Sequence, residues 1–395
     1  MSPSYNPSPE LVRTLRRWQT PALTGGLLLL AISVAGGFFG WPDFFHAWLI
    51  GFLFWQGLVL GCMAFLMLFY LTGGAWGVVT RRTFEAATRT LPMIAAFFIP
   101  LAFGMPDLYD WAHPERVRLN HLLQHRSVYM NPVFFLVRTA IYFLIWMVFI
   151  HYLNRWSADE DRAPAGQPLK LARLSAPGLI VYVFTTTFAA VDWAESLQTS
   201  FYSTIWGFLF VASGCLTAIG FSILAMWLLG KRAPMSQVLR PSHFHDLGKL
   251  LLMMLMLWAY FSFSQLLIIW AGDLPHEISY YLPRFGTTWG WLGAALIVVQ
   301  FVIPFLLLLN MPLKRNAAIL SAVVVLVLFM RYMGIVWYVL PGFDRAGFHM
   351  SWLTVVAPLG LGGVWLWSFL GELGKRPLLP LNTPGLEAAL VHETE

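Results

Sequence analysis

The chain has 395 residues, of which 58% are hydrophobic and only 11% are charged, and its mean hydropathy is +0.67. Soluble domains carry roughly 25% charged residues, so this composition excludes an ordinary soluble protein and predicts an integral membrane protein. The net charge of +6 does not indicate nucleic-acid binding, because the distribution of Lys and Arg over the loops explains it better.

Apolar runs of about 20 residues, long enough to cross a bilayer as helices, occur ten times and predict an all-α fold. In chain order they are residues 21–40, 44–71, 88–104, 131–153, 174–195, 202–229, 246–270, 289–309, 317–338 and 352–371. The third run is interrupted by Pro92 and Pro100, which membrane helices tolerate when neighbouring groups satisfy the freed backbone.

The basic residues are distributed unevenly over the connections between these spans. Most of the 25 Lys and Arg residues fall in the terminal segments and in every second connection. The opposite side of the membrane holds Arg116, Arg118, Arg126, Arg284 and Arg345. Because positive charge accumulates on the cytoplasmic side, we expect both termini to lie in the cytoplasm.

A faint internal repeat predicts that the chain is built from two halves. Residues 51–54 (Gly-Phe-Leu-Phe) recur as residues 207–210, although chance similarity between two Phe- and Leu-rich helices is the alternative explanation. We therefore expect two four-helix bundles with one flanking helix at each end. The predicted segments are a cytoplasmic N-terminal segment (1–20), a first flanking helix (21–43), a first bundle (44–195) that contains a cytoplasmic linker (154–173), a second bundle (196–338), a second flanking helix (339–371) and a cytoplasmic tail (372–395).

Four charged residues are predicted to lie in the outer part of the membrane. Asp192 and Glu195 come at the outer end of the fifth span, while Arg138 and Arg331 fall in the outer parts of the fourth and ninth spans. Charged side chains are costly inside a bilayer, so we expect these residues to pair. Such a cluster is either a structural ion-pair network that holds the helices together or an outer site that releases protons or lies next to a quinone.

The seventh span begins with a second polar group. His245, Asp246 and Lys249 are spaced so that they share one helical face near the cytoplasmic side. A histidine exchanges protons near neutral pH, and a buried Asp beside a Lys can be tuned to do so. The three residues are therefore candidates for the cytoplasmic entrance of a proton pathway. The alternative is an interfacial cap, in which the Asp faces the helix N-terminus and the Lys reaches the membrane surface.

Milder polar residues lie between these two groups. Tyr260, Ser264 and Gln265 on the seventh span, joined by bound water, are candidates for the middle of the same pathway. Hydrogen bonding between membrane helices is the more ordinary explanation for such residues. The two cysteines, Cys62 and Cys215, form no CxxC or CxxCH motif, so any redox cofactor must be non-covalent or sit on a partner. We expect no metal site, no catalytic residue and no bound cofactor on this chain.

Several short strings, in their order and spacing, resemble one family of membrane proteins. They are residues 71–77 (LTGGAWG), 89–92 (RTLP), 192–193 (DW), 202–205 (YSTI), 244–249 (FHDLGK), 257–261 (LWAYF) and 263–265 (FSQ). With its ten spans and doubled bundles, the chain resembles the NrfD/polysulfide-reductase-type membrane anchors, and more closely the ActF-type anchor subunit of bacterial alternative complex III. The resemblance covers nearly the whole chain apart from its tails.

The resemblance implies a subunit of a quinol:electron-acceptor oxidoreductase in the respiratory chain of a bacterial inner membrane. The implied partners are a homologous, ActC-like anchor, an iron–sulfur subunit, c-type cytochrome subunits, small membrane subunits and membrane lipid. Quinol, iron–sulfur clusters and c-type haems would be bound by those partners, while this chain would provide proton half-channels. The family's polar positions match Asp192, His245, Asp246, Lys249 and Gln265.

Two other functions remain as alternatives: a stand-alone secondary transporter and a purely structural scaffold of the same complex. The prolines of the third span have no counterpart in the seventh, and the apparent repeat is parallel, which disfavours an inverted-repeat transporter. Stable association with haem-containing subunits would distinguish the anchor and the scaffold from the transporter.

Overall fold

The computed structural model describes residues 5–38, 43–162, 168–383 and 385–391. It is 82% helical, and no strand occurs in these ranges. Nine of the described helices are long and apolar enough to cross a membrane, and one bent pair of shorter helices makes a tenth span. The prediction of an all-α integral membrane protein with about ten membrane helices is confirmed.

The ten spans are numbered α1 to α10 in chain order. They are α1 (Pro9–Phe38), α2 (Phe44–Thr72), α3 (Ala75–Thr88 followed by Leu91–Phe103), α4 (Pro132–Arg162), α5 (Pro168–Trp193), α6 (Trp206–Leu229), α7 (Pro241–Gly272), α8 (Trp289–Leu309), α9 (Ala317–Val339) and α10 (Leu353–Leu373). Short helices lie outside the spans at Met105–Leu108, Pro114–Leu119, His121–Arg126, Met235–Val238, Pro275–Ile278, Leu282–Phe285, Met311–Arg315 and Leu386–Val391.

Several helices extend beyond the apolar runs that predict them. α1 begins at Pro9 rather than near residue 21, and α4 continues through polar residues to Arg162. An apolar run marks only the part of a helix that matches the hydrocarbon, whereas the helix itself continues into the polar turns beyond it. Residues 163–167 of the predicted linker lie outside the described residues, as do 1–4, 39–42, 384 and 392–395. The assignment of the spans to two bundles stays a prediction.

The third span differs most from its prediction. The apolar run 88–104 predicts one helix, whereas α3 begins at Ala75, breaks after Thr88 and continues from Leu91 with a bend of 40°. Pro92 stands in the first turn of the second segment, where a missing N–H is tolerated. Hydropathy misses the first segment because that segment carries Arg81, Arg82 and Glu85, although all three side chains are buried.

Two central helices, α2 and α6, are the most buried spans, whereas α1, α7 and α8 leave most of their residues outside the protein interior. The central helices cross at glycines. A Cβ atom on Gly61 would stand 2.2 Å from the Gly214 carbonyl oxygen, so this backbone contact requires the glycine. α1 packs against α10 in the same way, through Gly26 and Gly363, and α10 also contacts α2. Both flanking helices are therefore attached to the centre.

Candidate functional site

Arg138 on α4 and Asp192 on α5 form a buried ion pair. Arg138 Nε and Nη2 donate to Asp192 Oδ2 and Oδ1, each at 2.9 Å, and the Tyr142 hydroxyl donates to Oδ2 at 2.9 Å. Nη1 of Arg138 donates to the Tyr129 carbonyl oxygen at 2.6 Å, and the guanidinium carbon lies 3.7 Å from the centre of the Tyr129 ring. This two-point contact compensates a fully buried carboxylate within the chain itself.

Glu195 is held separately from this pair. α5 ends at Trp193 and residues 195–197 form a 3-10 turn, so Glu195 does not continue the helical face of Asp192. Its Oε1 accepts a hydrogen bond from the Ser203 amide at 2.9 Å. Its Oε2 has no hydrogen-bond partner among the described residues. Glu195 thus binds the connection between α5 and α6 rather than Arg138.

Arg331 on α9 is also buried, with only 2% of its surface exposed. Within the described ranges it forms no ion pair, and its Nε and Nη1 atoms have no hydrogen-bond partner. Its guanidinium carbon lies 5.7 Å from the centre of the Trp258 ring. The four outer residues that the sequence groups together therefore do not form one cluster. Arg138 and Asp192 pair with each other, Glu195 binds the Ser203 amide, and Arg331 forms no ion pair within the described ranges.

A buried amide lies close to Arg331. A Cβ atom on Gly334 would be 3.2 Å from Arg331 Nη1 and 3.7 Å from Gln300 Oε1. Gln300 is fully buried, and in the described part of the chain neither its amide oxygen nor its amide nitrogen has a partner. It lies on a π-helical segment, Leu296–Val302, inside α8. Such segments widen a helix by one residue per turn and often occur at functional sites.

The inner group at the start of α7 is found close to where the sequence predicts it. Lys249 Nζ lies 3.5 Å from Asp246 Oδ1, and both side chains reach the surface. His245 is buried to 5% exposure, and its Nδ1 has no partner among the described residues. Lys314, from the short helix before α9, packs over Gly248. Burial and the neighbouring Lys249 lower the pKa of Lys314, because both disfavour its positive charge.

The three residues proposed for the middle of the pathway do not share one environment. Tyr260 is 63% exposed, Ser264 is half-buried and Gln265 is buried. Gln265 Oε1 has no partner among the described residues. Tyr260 and Gln265 both line a cleft of about 470 Å³ between α7, α8 and the end of α9. The polar residues of α7 therefore border a cleft rather than a closed interhelical channel.

This cleft was not predicted from the sequence. Its walls are almost entirely apolar, and exposed Phe263 and Ile297 at its rim open it towards the surface that faces lipid or a partner. Four buried polar atoms in its walls have no partner within the described residues: Gln265 Oε1, Trp258 Nε1, Trp337 Nε1 and Ser262 Oγ. An apolar cavity of this size with a few polar groups is typical of a ligand site.

A buried ionic network at the predicted cytoplasmic end was also missed. Glu85 Oε1 accepts from Arg81 Nε at 2.9 Å, and Glu85 Oε2 accepts from Arg82 Nη1 at 2.7 Å. Arg81 also pairs with Glu160 at 2.5 Å, and Arg82 pairs with Asp161, both at the end of α4. The spacing of the Arg and Glu residues by three and four along one helix is the signal that could have found this network.

A group of three or more His, Cys, Asp or Glu residues that could hold a metal ion is absent from the described ranges. No protein-family model matches the chain, and no curated protein matches it either. The chemistry that the site can perform must therefore be inferred from its own geometry. Its distinctive features are one compensated ion pair, one uncompensated arginine, an exposed inner polar group and a membrane-facing cleft.

Proposed function

We propose that the chain is a membrane anchor subunit of a quinol:electron-acceptor oxidoreductase of the alternative complex III type. Its redox centres, iron–sulfur clusters and c-type haems, belong to partner subunits in a bacterial inner membrane. The chain itself holds the complex in the bilayer and provides proton half-channels. One observation carries this proposal beyond the sequence resemblance: the cleft between α7, α8 and α9.

The chemistry of the cleft fits a quinol. A quinol has a long apolar tail and a ring whose oxygens donate and accept hydrogen bonds. The cleft offers about 470 Å³ of apolar space that opens at a rim of exposed apolar side chains. Deeper in, the Gln265 amide oxygen can accept a hydrogen bond, and the Trp258 and Trp337 indole N–H groups can donate one. The sequence led us to expect quinol only on a partner, and the cleft supports a contact on this chain as well.

The proton half-channels rest on the two polar ends. At the inner end, His245 is buried beside the solvent-reaching pair of Asp246 and Lys249, so a proton can exchange with the cytoplasm through this group. At the outer end, Asp192 is hydrogen-bonded to Tyr142 and fixed by Arg138. A purely structural scaffold also needs such a two-point pairing to hold its helices together. The outer end therefore favours the scaffold as the second candidate function.

The proposal is tested by purifying the complex through this chain in mild detergent and measuring quinol oxidation. An Ala259→Trp variant fills the cleft, since Ala259 stands in its wall. Leu257→Trp is the matched control, because Leu257 is exposed on the same helix and does not line the cleft. We expect the KM for quinol to rise about tenfold or more in the first variant, as for a loss of about 1.4 kcal/mol of binding, and to stay unchanged in the control.

Two results would contradict the proposal. A lone, colourless protein in several detergents would exclude the complex and favour a transporter. If the complex oxidises quinol with the same KM in both tryptophan variants, the chain is still an anchor subunit, but its cleft does not bind quinol.

A further inference from the structure

The burial of Arg331 poses a charge problem that the described residues do not solve. At about 1.5 Å per residue, Arg331 lies roughly 21 Å along α9 from Ala317 and about 12 Å from Val339, away from both ends of the span. Its Nε and Nη1 atoms have no hydrogen-bond partner in the described part of the chain. A buried cation left without a counter-charge is strongly unfavourable, so such residues pair or face a polar cavity.

A small cavity whose wall contains several polar side chains lies beside Arg331, where α2, α5, α6 and α9 meet. It has a volume of about 30 Å³, and Arg331 forms part of its wall together with Gln56, Thr186, Ser213 and Thr217. These four neutral side chains are each more than nine-tenths buried. Every helix at this junction thus contributes a polar group, although two of these helices, α2 and α6, are the central, most buried spans.

The cavity wall contains hydrogen-bond donors that have no acceptor among the described residues. Thr186 Oγ1 and Ser213 Oγ, like the two guanidinium nitrogens, have no partner among the described residues. Thr217 differs, because its hydroxyl already donates to the Ser213 carbonyl oxygen at 2.9 Å. The wall includes no acidic side chain. The unmet groups are therefore a positive charge and two hydroxyls, which is the donor set of an anion site.

The size of the cavity limits what can fill it. A water molecule needs roughly 10–15 Å³ of such space, so about 30 Å³ holds one monatomic anion of chloride size or two waters. A phosphate, a carboxylate ligand or a lipid headgroup is too large. Water satisfies the hydrogen-bond donors but leaves the charge of Arg331 uncompensated. A monovalent anion accepts the same hydrogen bonds and also compensates the charge.

We propose that this cavity binds one chloride-sized inorganic anion, held by Arg331, Thr186 and Ser213. The ion links helices of both predicted bundles, because α2 and α5 meet α6 and α9 around it. It is independent of the quinol cleft and of the function proposed above, since it requires only the buried arginine and the cavity.

The test is the halide dependence of thermal unfolding of the purified protein, exchanged into gluconate buffer at constant ionic strength. We expect chloride or bromide to raise the Tm of the wild type by a few degrees in a saturable manner, because a ligand stabilises the state that binds it. Arg331→Met should abolish this halide dependence. Ser213→Ala should raise the half-maximal halide concentration about tenfold or more, as for the loss of one hydrogen bond to a charged acceptor.

Arg284→Met is the matched control. Arg284 is fully buried, but its guanidinium donates to the carbonyl oxygens of Tyr280, Trp337 and Tyr338 at 2.6–3.2 Å and needs no ion. The halide dependence should survive in this variant. If the arginine variants fail to fold, Ser213→Ala and anomalous diffraction from bromide-exchanged crystals still show whether the cavity binds a halide. A bromide peak in the cavity supports the site, and a halide-independent Tm with only water in the cavity overturns it.

Discussion

Arg138 and Arg331 are both buried in membrane spans of this protein, but within the described residues the charge of only one of them is compensated by a carboxylate. Arg138 on α4 is bound at two points by Asp192 and at a third by a backbone carbonyl oxygen. Arg331 on α9 finds no carboxylate among the described residues and keeps two nitrogens without partners. The first arginine therefore stabilises a fixed contact between neighbouring helices, whereas the second retains an unmet demand for negative charge.

The same contrast appears at the predicted cytoplasmic ends. In the first half of the chain, Glu85 is fully buried and bound by Arg81 and Arg82. In the second half, Asp246 and Lys249 form a longer, exposed contact of 3.5 Å. Buried carboxylates with arginine partners, such as Glu85 and Asp192, thus lie in the first half. The second half contains the cleft, the exposed pair and much of the cavity wall, and we infer that ligands and protons act there.

The largest expected effect comes from breaking the compensated pair. Asp192→Asn leaves Arg138 buried with half of its contacts, and removing one partner of a buried pair costs about 3–5 kcal/mol. Arg331→Met removes a charge that has no partner to lose, so in halide-free buffer we expect a cost below about 1 kcal/mol. Chemical denaturation in detergent, or the folded fraction in the membrane, measures both. Equal destabilisation by the two variants would contradict the contrast.

Breaking the ionic network at the end of α4 should reduce the stability of the protein almost as much. Glu85→Gln leaves Arg81 and Arg82 buried with less negative charge, and we expect a cost of about 3 kcal/mol. The residues after α10 depend on the same network, because Thr383 Oγ1 accepts from Arg81 Nη1 at 2.6 Å. Protease cleavage of the C-terminal segment should therefore accelerate in the variant. An unchanged cleavage rate would show that the tail is held independently of the network.

The junction between the halves should be sensitive to a single methyl group. Gly61→Ala places a Cβ 2.2 Å from the Gly214 carbonyl oxygen, so α2 and α6 must separate, at a cost of about 1–3 kcal/mol. Gly25→Ala on α1 is the control, because nothing lies within 4 Å of its added Cβ. The measurement is the unfolding midpoint of both variants. A tolerated alanine at residue 61 would mean that the central crossing is looser than described.

The smallest effect on stability is expected at the inner polar group. Asp246→Asn breaks an ion pair whose Lys249 side chain is more than half exposed, and such pairs contribute about 0–1 kcal/mol. The same variant removes a proton-exchanging carboxylate from the proposed entrance, so proton uptake per quinol oxidised should fall while the Tm changes little. Proteoliposomes with an internal pH dye measure this ratio. Normal proton uptake would restrict Asp246 to a structural role.

Hydropathy and the distribution of Lys and Arg predicted the spans well, because the bilayer imposes length and composition directly. They missed the first segment of α3, since its Arg and Glu residues mimic a polar loop while they pair inside the protein. The depth of Arg138 and Asp192 pointed to their pairing. The separate position of Arg331 was not predictable, because depth says nothing of how a helix is rotated about its axis. The cleft and the cavity depend on that rotation and on side-chain conformation.

Photoaffinity labelling with an azidoquinone, on the complex purified through this chain, tests the central claim most directly. We expect label on the α7 segment that contains Trp258 and Gln265, competed away by excess quinol and reduced in Ala259→Trp. Label confined to other subunits, or label on this chain that excess quinol does not displace, would contradict a quinol contact in the second half of the molecule.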